Sequence, residues 1–381
     1  MRPLITTIAW GVFCACSWTW CIGMFLPKLM IDRFGWWGFL VFAVPNVIGC
    51  AGFGYVLAKR QRSEETVQRH GGSMVVFSLI AIAFHMLFIT YLFAELLPRA
   101  DVERWLGSWE GLAAVRGNAA VICAAVVWGA GLILSFLGDR AWLVVSGLVY
   151  AFSLAAFAAI GLGEWEWLGA VGRSQLSELA YLAPVICLGF LLCPYLDLTF
   201  HRALQQSPSR HAFGVLGITF AVMILFTCFL WFSPTMMAIG VGHILAQSIF
   251  TVGAHLRELR LAPAIRGRGV RVVLSLLPLA ISPLVPLVRL FFTTEQVPGE
   301  DLYIRFLVFY GLIFPAYVLM FIGPGRPIRL NRAALLACVA AVVVFAPLFE
   351  AGFVHQRGWL LLLPAAAALA WLGARLTPAK S

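Results

Sequence analysis

Long apolar runs separated by short polar joints fill this chain from end to end. The runs reach twenty residues or more and do not alternate with polar positions. A bilayer core takes about 20 helical residues, whereas a membrane strand takes about ten with every second one apolar. The pattern therefore predicts twelve membrane-crossing helices, at about 4–30, 34–58, 73–97, 119–137, 140–162, 180–204, 212–232, 236–257, 270–292, 303–323, 333–353 and 358–375. The expected fold class is an all-α integral membrane protein. The first run holds "CACS" (14–17), loosely like a signal cleavage site, but it continues to about Met30, too long for the apolar part of a signal peptide.

Charge orients these helices, because cytoplasmic joints carry an excess of Lys and Arg. With the N-terminus inside and one crossing per helix, the inner joints include "KRQRSEETVQRH" (59–70), Arg140, "HRALQQSPSRH" (201–211), "HLRELRLAPAIRGRGVR" (255–271), "GRPIRLNR" (325–332) and the C-terminal tail. With Arg2 they hold most of the 27 Lys and Arg residues. The outer joints, "ERWLGSWEG" (103–111), "GEWEWLG" (163–169) and "TTEQVPGED" (293–301), are acidic and aromatic. The expectation is a multi-pass protein of the cell (inner) membrane with both termini cytoplasmic. The Trp-rich segments 101–115 and 164–172 are expected at the outer interface, as an aromatic belt or an extracellular lid.

Composition agrees: 62% of 381 residues are hydrophobic and 12% charged, against about 45–50% and about 25% in a soluble domain. The topology bias accounts for the net charge of +10, and no basic soluble module is present to bind nucleic acid. All nine cysteines fall inside apolar runs, so neither a disulfide framework, a zinc site nor any other cofactor is expected.

One run asks for more. "FLLCPYLDLTFHR" (190–202) places Pro194 and Asp197 in apolar surroundings. Proline removes a helical hydrogen bond, and an intramembrane carboxylate costs at least about 2.5–3.5 kcal/mol. A helix broken beside a polar chamber meets both costs. The alternative is a kink with Asp197 paired to His201 or Arg202. The first run has a companion feature, with Ser17, Trp18, Thr19, Trp20 and Gly23 in its middle third. Interruptions in the first and sixth helices point to an inverted-repeat carrier with its site at mid-depth. His85, Tyr91 and Glu95 share one face of the third helix. Lys28 and Arg289 are expected to snorkel, Lys28 with Asp32 as an alternative partner.

Several stretches resemble the solute:sodium symporter family. Residues 17–60 resemble its opening core hairpin, 132–150 its hairpin between core helices four and five, 181–220 its core helices six and seven, and 237–259 its core helix eight. The resemblance covers roughly residues 5–260 and implies a LeuT-like five-plus-five inverted-repeat core. That core would be residues 1–323, with helices 1–5 at 4–162 and 6–10 at 180–323; two further helices and a tail would occupy 324–381. Where the family carries a Ser-Thr pair that helps bind sodium, the matching place here is Gly242-His243. Where it often has Thr-Asp, this chain has Val145-Ser146. Sodium coupling loses support, and a proton carried by Asp197 or His243 becomes the alternative.

The expected function is a secondary active, symporter-like carrier moving a small solute by alternating access. Candidate substrate-binding residues are Ser17, Trp18, Thr19, Trp20, Gly23, Tyr91, Cys193, Pro194, Tyr195 and Asp197. Candidate ion- or proton-coupling residues are Asp197, Gly242, His243 and Ser146. The alternative is a carrier-like sensor, or a subunit of a membrane complex with a protein partner. No HExxH, GxSxG or paired-carboxylate motif suggests an enzyme. The orientation predicts that a cysteine replacing Gln206 reacts with a membrane-impermeant maleimide in inside-out vesicles only; labelling in intact cells would reverse it.

Overall fold

A computed structural model describes residues 3–96, 112–160, 176–231, 237–283, 287, 298–323 and 328–376. Among them every regular element is helical. Eight helices are long and apolar enough to cross a membrane, and three shorter apolar helices accompany them, Pro3–Trp18, Ala119–Leu134 and Ala212–Cys228. The chain is an all-α multi-pass membrane protein. The Trp-rich segments 101–115 and 164–172 lie largely or wholly outside the described residues, as does Arg289.

In chain order the elements are α1 (Pro3–Trp18), α2 (Cys21–Leu57), α3 (Arg60–Tyr91, continued by a π turn Leu92–Leu96), α4 (Leu112–Leu134), α5 (Asp139–Ile160), α6 (Leu176–Leu192) and α7 (Leu198–Gln206). They are followed by α8 (Ala212–Leu230), α9 (Met237–Leu261), α10 (Arg268–Leu276), α11 (Pro298–Phe306), α12 (Phe314–Phe321), α13 (Arg332–Phe349, continued by a π turn Glu350–Val354) and α14 (Leu362–Leu376).

The expected helices 4–30 and 34–58 are divided differently. The chain breaks at Thr19-Trp20, and α2 then runs on past residue 34. Gly35 bends it, at φ 65° and ψ −157°, a conformation that only glycine adopts easily. A Cβ on Gly38 would lie 2.3 Å from the Met30 carbonyl oxygen, although eight residues span about 12 Å in a straight helix. So α2 folds back into two arms, 21–34 and 36–57. The second arm passes Asn46, which bonds Trp18, and ends where α3 begins. Residues 60–72 thus lie at the end of the bundle opposite Gly35.

The core is built from rings on α1, α2, α3, α5, α8 and α9, including Phe13, Phe42, Phe53, Phe77, Phe84, Trp142, Phe213 and Phe250, all fully buried. Ion pairs tie the helix ends. Arg33 meets Glu300 at 2.9 Å and Arg305 meets Glu350 at 2.8 Å. At the other end Arg202 holds both oxygens of Glu258, and Arg257 meets Asp139. Lys28 pairs with Asp32 within one turn. By contrast α13 and α14 bury little of themselves and lie on the rim.

Close backbone approach sets the fit of α2 on α6. A Cβ on Gly49 would come within 2.2 Å of the Phe190 carbonyl oxygen, which is backbone and cannot rotate away. Gly49→Ala is expected to cost about 1–3 kcal/mol, read as a lower Tm of the purified protein in detergent. Gly52→Ala, with nothing within 4 Å, should leave Tm unchanged or raised; equal losses at both sites would contradict this packing.

Candidate functional site

The end of α1 strands specific backbone groups. Trp20 is extended, at φ −80° and ψ 173°. Its N–H turns back to the Trp18 carbonyl at 2.8 Å, so the Cys16 carbonyl loses its helical donor. Thr251 Oγ1 on α9 replaces it at 3.2 Å. The Ser17 carbonyl loses the Cys21 N–H in the same way and accepts the Trp20 indole N–H instead. The Cys21 N–H donates to His85 Nε2 on α3 at 3.3 Å. His85 Nδ1 faces the Ala81 carbonyl at 2.8 Å. A carbonyl only accepts, so Nδ1 carries the proton and Nε2 is the acceptor that Cys21 requires. Tyr303 Oη donates to the Cys21 carbonyl at 3.1 Å. Three neighbouring helices therefore satisfy one break.

The second break follows α6. Pro194 has no N–H to give the Phe190 carbonyl, the group against which Gly49 packs. A 3₁₀ turn, Cys193–Leu196, leads to Asp197, which is extended at φ −81° and ψ 110°. Asp197 caps α7: its Oδ1 accepts the Thr199 N–H at 2.7 Å. A carboxylate at a helix N-terminus also meets the positive end of the helix dipole. The sequence left open a pairing with His201 or Arg202. Arg202 instead goes to Glu258, and His201 to Ser63 Oγ at 2.8 Å and the Tyr195 carbonyl at 3.1 Å. Asp197 is fully buried and its Oδ2 has no hydrogen-bond partner among the described residues.

The two breaks touch. Ser17 Oγ and Thr199 Oγ1 lie 3.0 Å apart, and both residues are fully buried. Around them stands a cage of rings. Trp18 and Trp20 have centroids 4.6 Å apart, and Phe200 lies 5.0 Å from Trp18. Phe77, His255 and Tyr310 surround Trp20 at 5.1, 5.3 and 5.3 Å. Asn46 accepts the Trp18 indole N–H at 2.8 Å and fixes that ring. His255 Nδ1 meets Ser78 Oγ at 3.2 Å, whereas its Nε2 and the Tyr310 hydroxyl have no partner among the described residues.

A cleft approaches this cage from each end. One, of about 200 Å³, runs from Arg33, Glu178 and Gln356 past Leu182 to Gly189 and Tyr310. The other, of about 880 Å³, runs from Gln61, Glu64 and Arg69 to Gln205 and Leu198, the residue after Asp197. The rings and the two breaks separate them.

The structure brings Ser17, Trp18, Thr19, Trp20, Cys193, Pro194 and Asp197 to the breaks. Thr19 Oγ1 bonds the Ala15 carbonyl at 2.7 Å, and Cys193 Sγ the Tyr310 carbonyl at 3.4 Å. Ser146 sits beside them, its carbonyl accepting Cys16 Sγ at 3.6 Å. The other candidates are elsewhere. Tyr195 packs on Phe53 at 5.6 Å, so Tyr310 rather than Tyr195 covers Trp20. Gly23 faces Phe220 and Ile224 of α8, with the Trp18 carbonyl of the first break 3.9 Å from where a Cβ would stand. Tyr91 lies further along α3, against Phe25 and Gly299. Gly242 faces Phe152. His243 bridges Ser153 at 2.9 Å and Thr227 at 3.2 Å.

His243 precedes His255 by twelve residues on α9, about 18 Å along the helix. Its hydrogen bonds go to Ser153 and Thr227, and none goes to Asp197. The position of α9 that faces α1 is Thr251, with Ser248 one turn earlier. Asn46, Thr199, Thr251 and His255 were legible as polar residues in apolar runs, which is the signature of a functional intramembrane group. Phe77 and Tyr310 carried no such signature. No family model, curated protein or solved structure matches this chain.

The capping geometry predicts that Asp197→Asn keeps the bond to Thr199, since an amide oxygen also accepts. It should unfold near the native Tm, whereas Asp197→Ala should lose about 0.5–2 kcal/mol. Equal Tm values for the two variants would remove the cap from the account.

Proposed function

We propose that this chain is a secondary active carrier for a small solute, built as twelve crossings with a LeuT-like five-plus-five core and two peripheral helices. The observation that carries the reading is the meeting of two interrupted helices at Ser17 and Thr199, between clefts that open at opposite ends of the bundle. Interrupted helices offer polar backbone and short polar side chains at mid-depth, where a continuous helix would offer neither. Two clefts that stop short of one another are what a carrier with a centrally placed, closed site presents.

In this reading the solute binds where the cage now closes. Ser17, Thr199 and the free edge of His255 meet its polar groups, and Trp18, Trp20 and Tyr310 meet its apolar faces. Asp197 is the acidic group at the breaks, so its unpartnered oxygen is where a coupling proton or cation would act. Access alternates as α1, α2 and the α6–α8 region rock against α3, α4, α5 and α9. The resemblance to the solute:sodium symporter family agrees with this assignment of moving parts. Thr251 and the Cys16 carbonyl supply hard oxygen near the first break, where Gly242-His243 had suggested none.

The test begins with a panel of amines, amino acids, sugars and nucleobases in a thermal-shift assay on purified protein, with sodium, with potassium and across pH. Compounds that stabilise are then followed for uptake into proteoliposomes under sodium or proton gradients. Uptake should occur, Trp20→Ala should weaken it about tenfold or more, and Asp197→Asn should abolish it while leaving Tm near native. In the same vesicles, Leu182→Cys and Leu198→Cys report the two clefts. A transported compound should change their maleimide labelling in opposite directions. A ligand that binds without crossing, and moves neither label, would replace the carrier with a sensor or complex subunit.

A further inference from the structure

The rim helices α13 and α14 enclose a third hollow, one that the carrier reading does not use. It has a volume of about 390 Å³ and lies between them and α6 and α12. Its lining contains no charged side chain: Leu188, Leu319, Ala337, Ala341, Phe345 and Trp371 are typical of its walls. Along α13 it extends from Ala334 to Phe349, about 22 Å of helix. That exceeds the depth of one leaflet, about half of a 30 Å hydrocarbon core.

The two ends of the groove differ in charge. At the Phe349 end acidic and basic groups are mixed: Glu350 pairs with Arg305, Glu178 accepts the Gly358 N–H, and Arg357 is exposed beside them. At the Ala334 end the Ile328 N–H bonds the Met320 carbonyl at 3.0 Å, which pins this segment to the groove wall. Arg329 comes next in the chain, and Arg332 opens α13 after its Asn331 cap. Both arginines are exposed and neither has a hydrogen bond or ion pair among the described residues. Arg375 lies one turn beyond Trp371 and donates to the Leu319 and Gly323 carbonyls, so its charge stands at the same end. Three guanidinium groups therefore flank the mouth of an apolar slot. Trp371 marks the interface there, as amphipathic rings do at headgroup level.

We propose that this groove is a binding site for an anionic phospholipid of the surrounding bilayer. One acyl chain lies along α13 between the alanine faces, and the phosphate is held by Arg329 and Arg332. Guanidinium and phosphate match in charge and in bidentate geometry, and basic pockets between membrane helices favour anionic headgroups. The choline group of a zwitterionic lipid would set a positive charge against three others.

The test uses the full chain, purified in detergent and examined by native mass spectrometry with phosphatidylglycerol or phosphatidylcholine of identical acyl chains. One phosphatidylglycerol per chain should remain bound, and phosphatidylcholine should be lost. Arg329→Gln with Arg332→Gln should weaken retention about tenfold, and Lys at both positions should restore most of it. Ala341→Trp fills the slot and should expel the lipid with both arginines intact. Circular dichroism and Tm establish that each variant folds; if Ala341→Trp does not, Ala337→Leu is the replacement. Equal retention of the two lipids, or indifference to the arginines, would overturn the headgroup assignment. Retention in the filled variant would overturn the groove. A dimer that dissociates when the slot is filled would make the occupant a second copy and refute the lipid.

Discussion

Where α1 stops, the carbonyls of Cys16 and Ser17 and the amide of Cys21 lose their helical partners among rings and aliphatic side chains. A backbone polar group left unpaired in such surroundings costs several kcal/mol, and no lipid can relieve it. The bundle must therefore bring donors and acceptors to that point. Thr251, the Trp20 indole and His85 do so from α9, from the break itself and from α3. Each satisfied group fixes a helix against the break, and the rest of the interior is arranged around those contacts.

The second break follows the same constraint by other means. Pro194 removes a donor, a 3₁₀ turn takes up part of the chain, and Asp197 caps the helix that resumes. The carboxylate is tolerated because one oxygen is hydrogen-bonded and the α7 dipole favours its charge. The other oxygen is left facing the interior. Ser17 and Thr199 then join the two solutions into one buried polar point. A central site of this kind is costly to build, and its cost is the physical reason to look for function there rather than at the more exposed His211 or His355.

The rim obeys a different rule. The helices α13 and α14 carry small residues and bury little, so their faces are matched to lipid rather than to the bundle. Charge collects at one end of the slot they frame, where the membrane surface can reward it. The molecule thus separates a closely packed centre, where backbone pairing decides the arrangement, from a looser margin whose surroundings are the bilayer.

The sequence by itself determined the class of the molecule, the main apolar runs and the two places where helices fail. Those features follow from local chemistry: run length, proline, and polar residues set in apolar stretches. It also singled out Ser17, Trp18, Trp20 and Asp197. Only the tertiary structure decided their partners, because His85, Thr199, Thr251 and Tyr303 lie between 64 and 282 residues away from the groups they satisfy. Nothing local marks Tyr310 or Phe77 as neighbours of Trp20. His243 shows the converse: a buried histidine that the sequence offered as a coupling residue lies about 18 Å along α9 from His255 and bonds Ser153 and Thr227. Composition sets which residues are costly to bury, and packing sets which of those costs are met together.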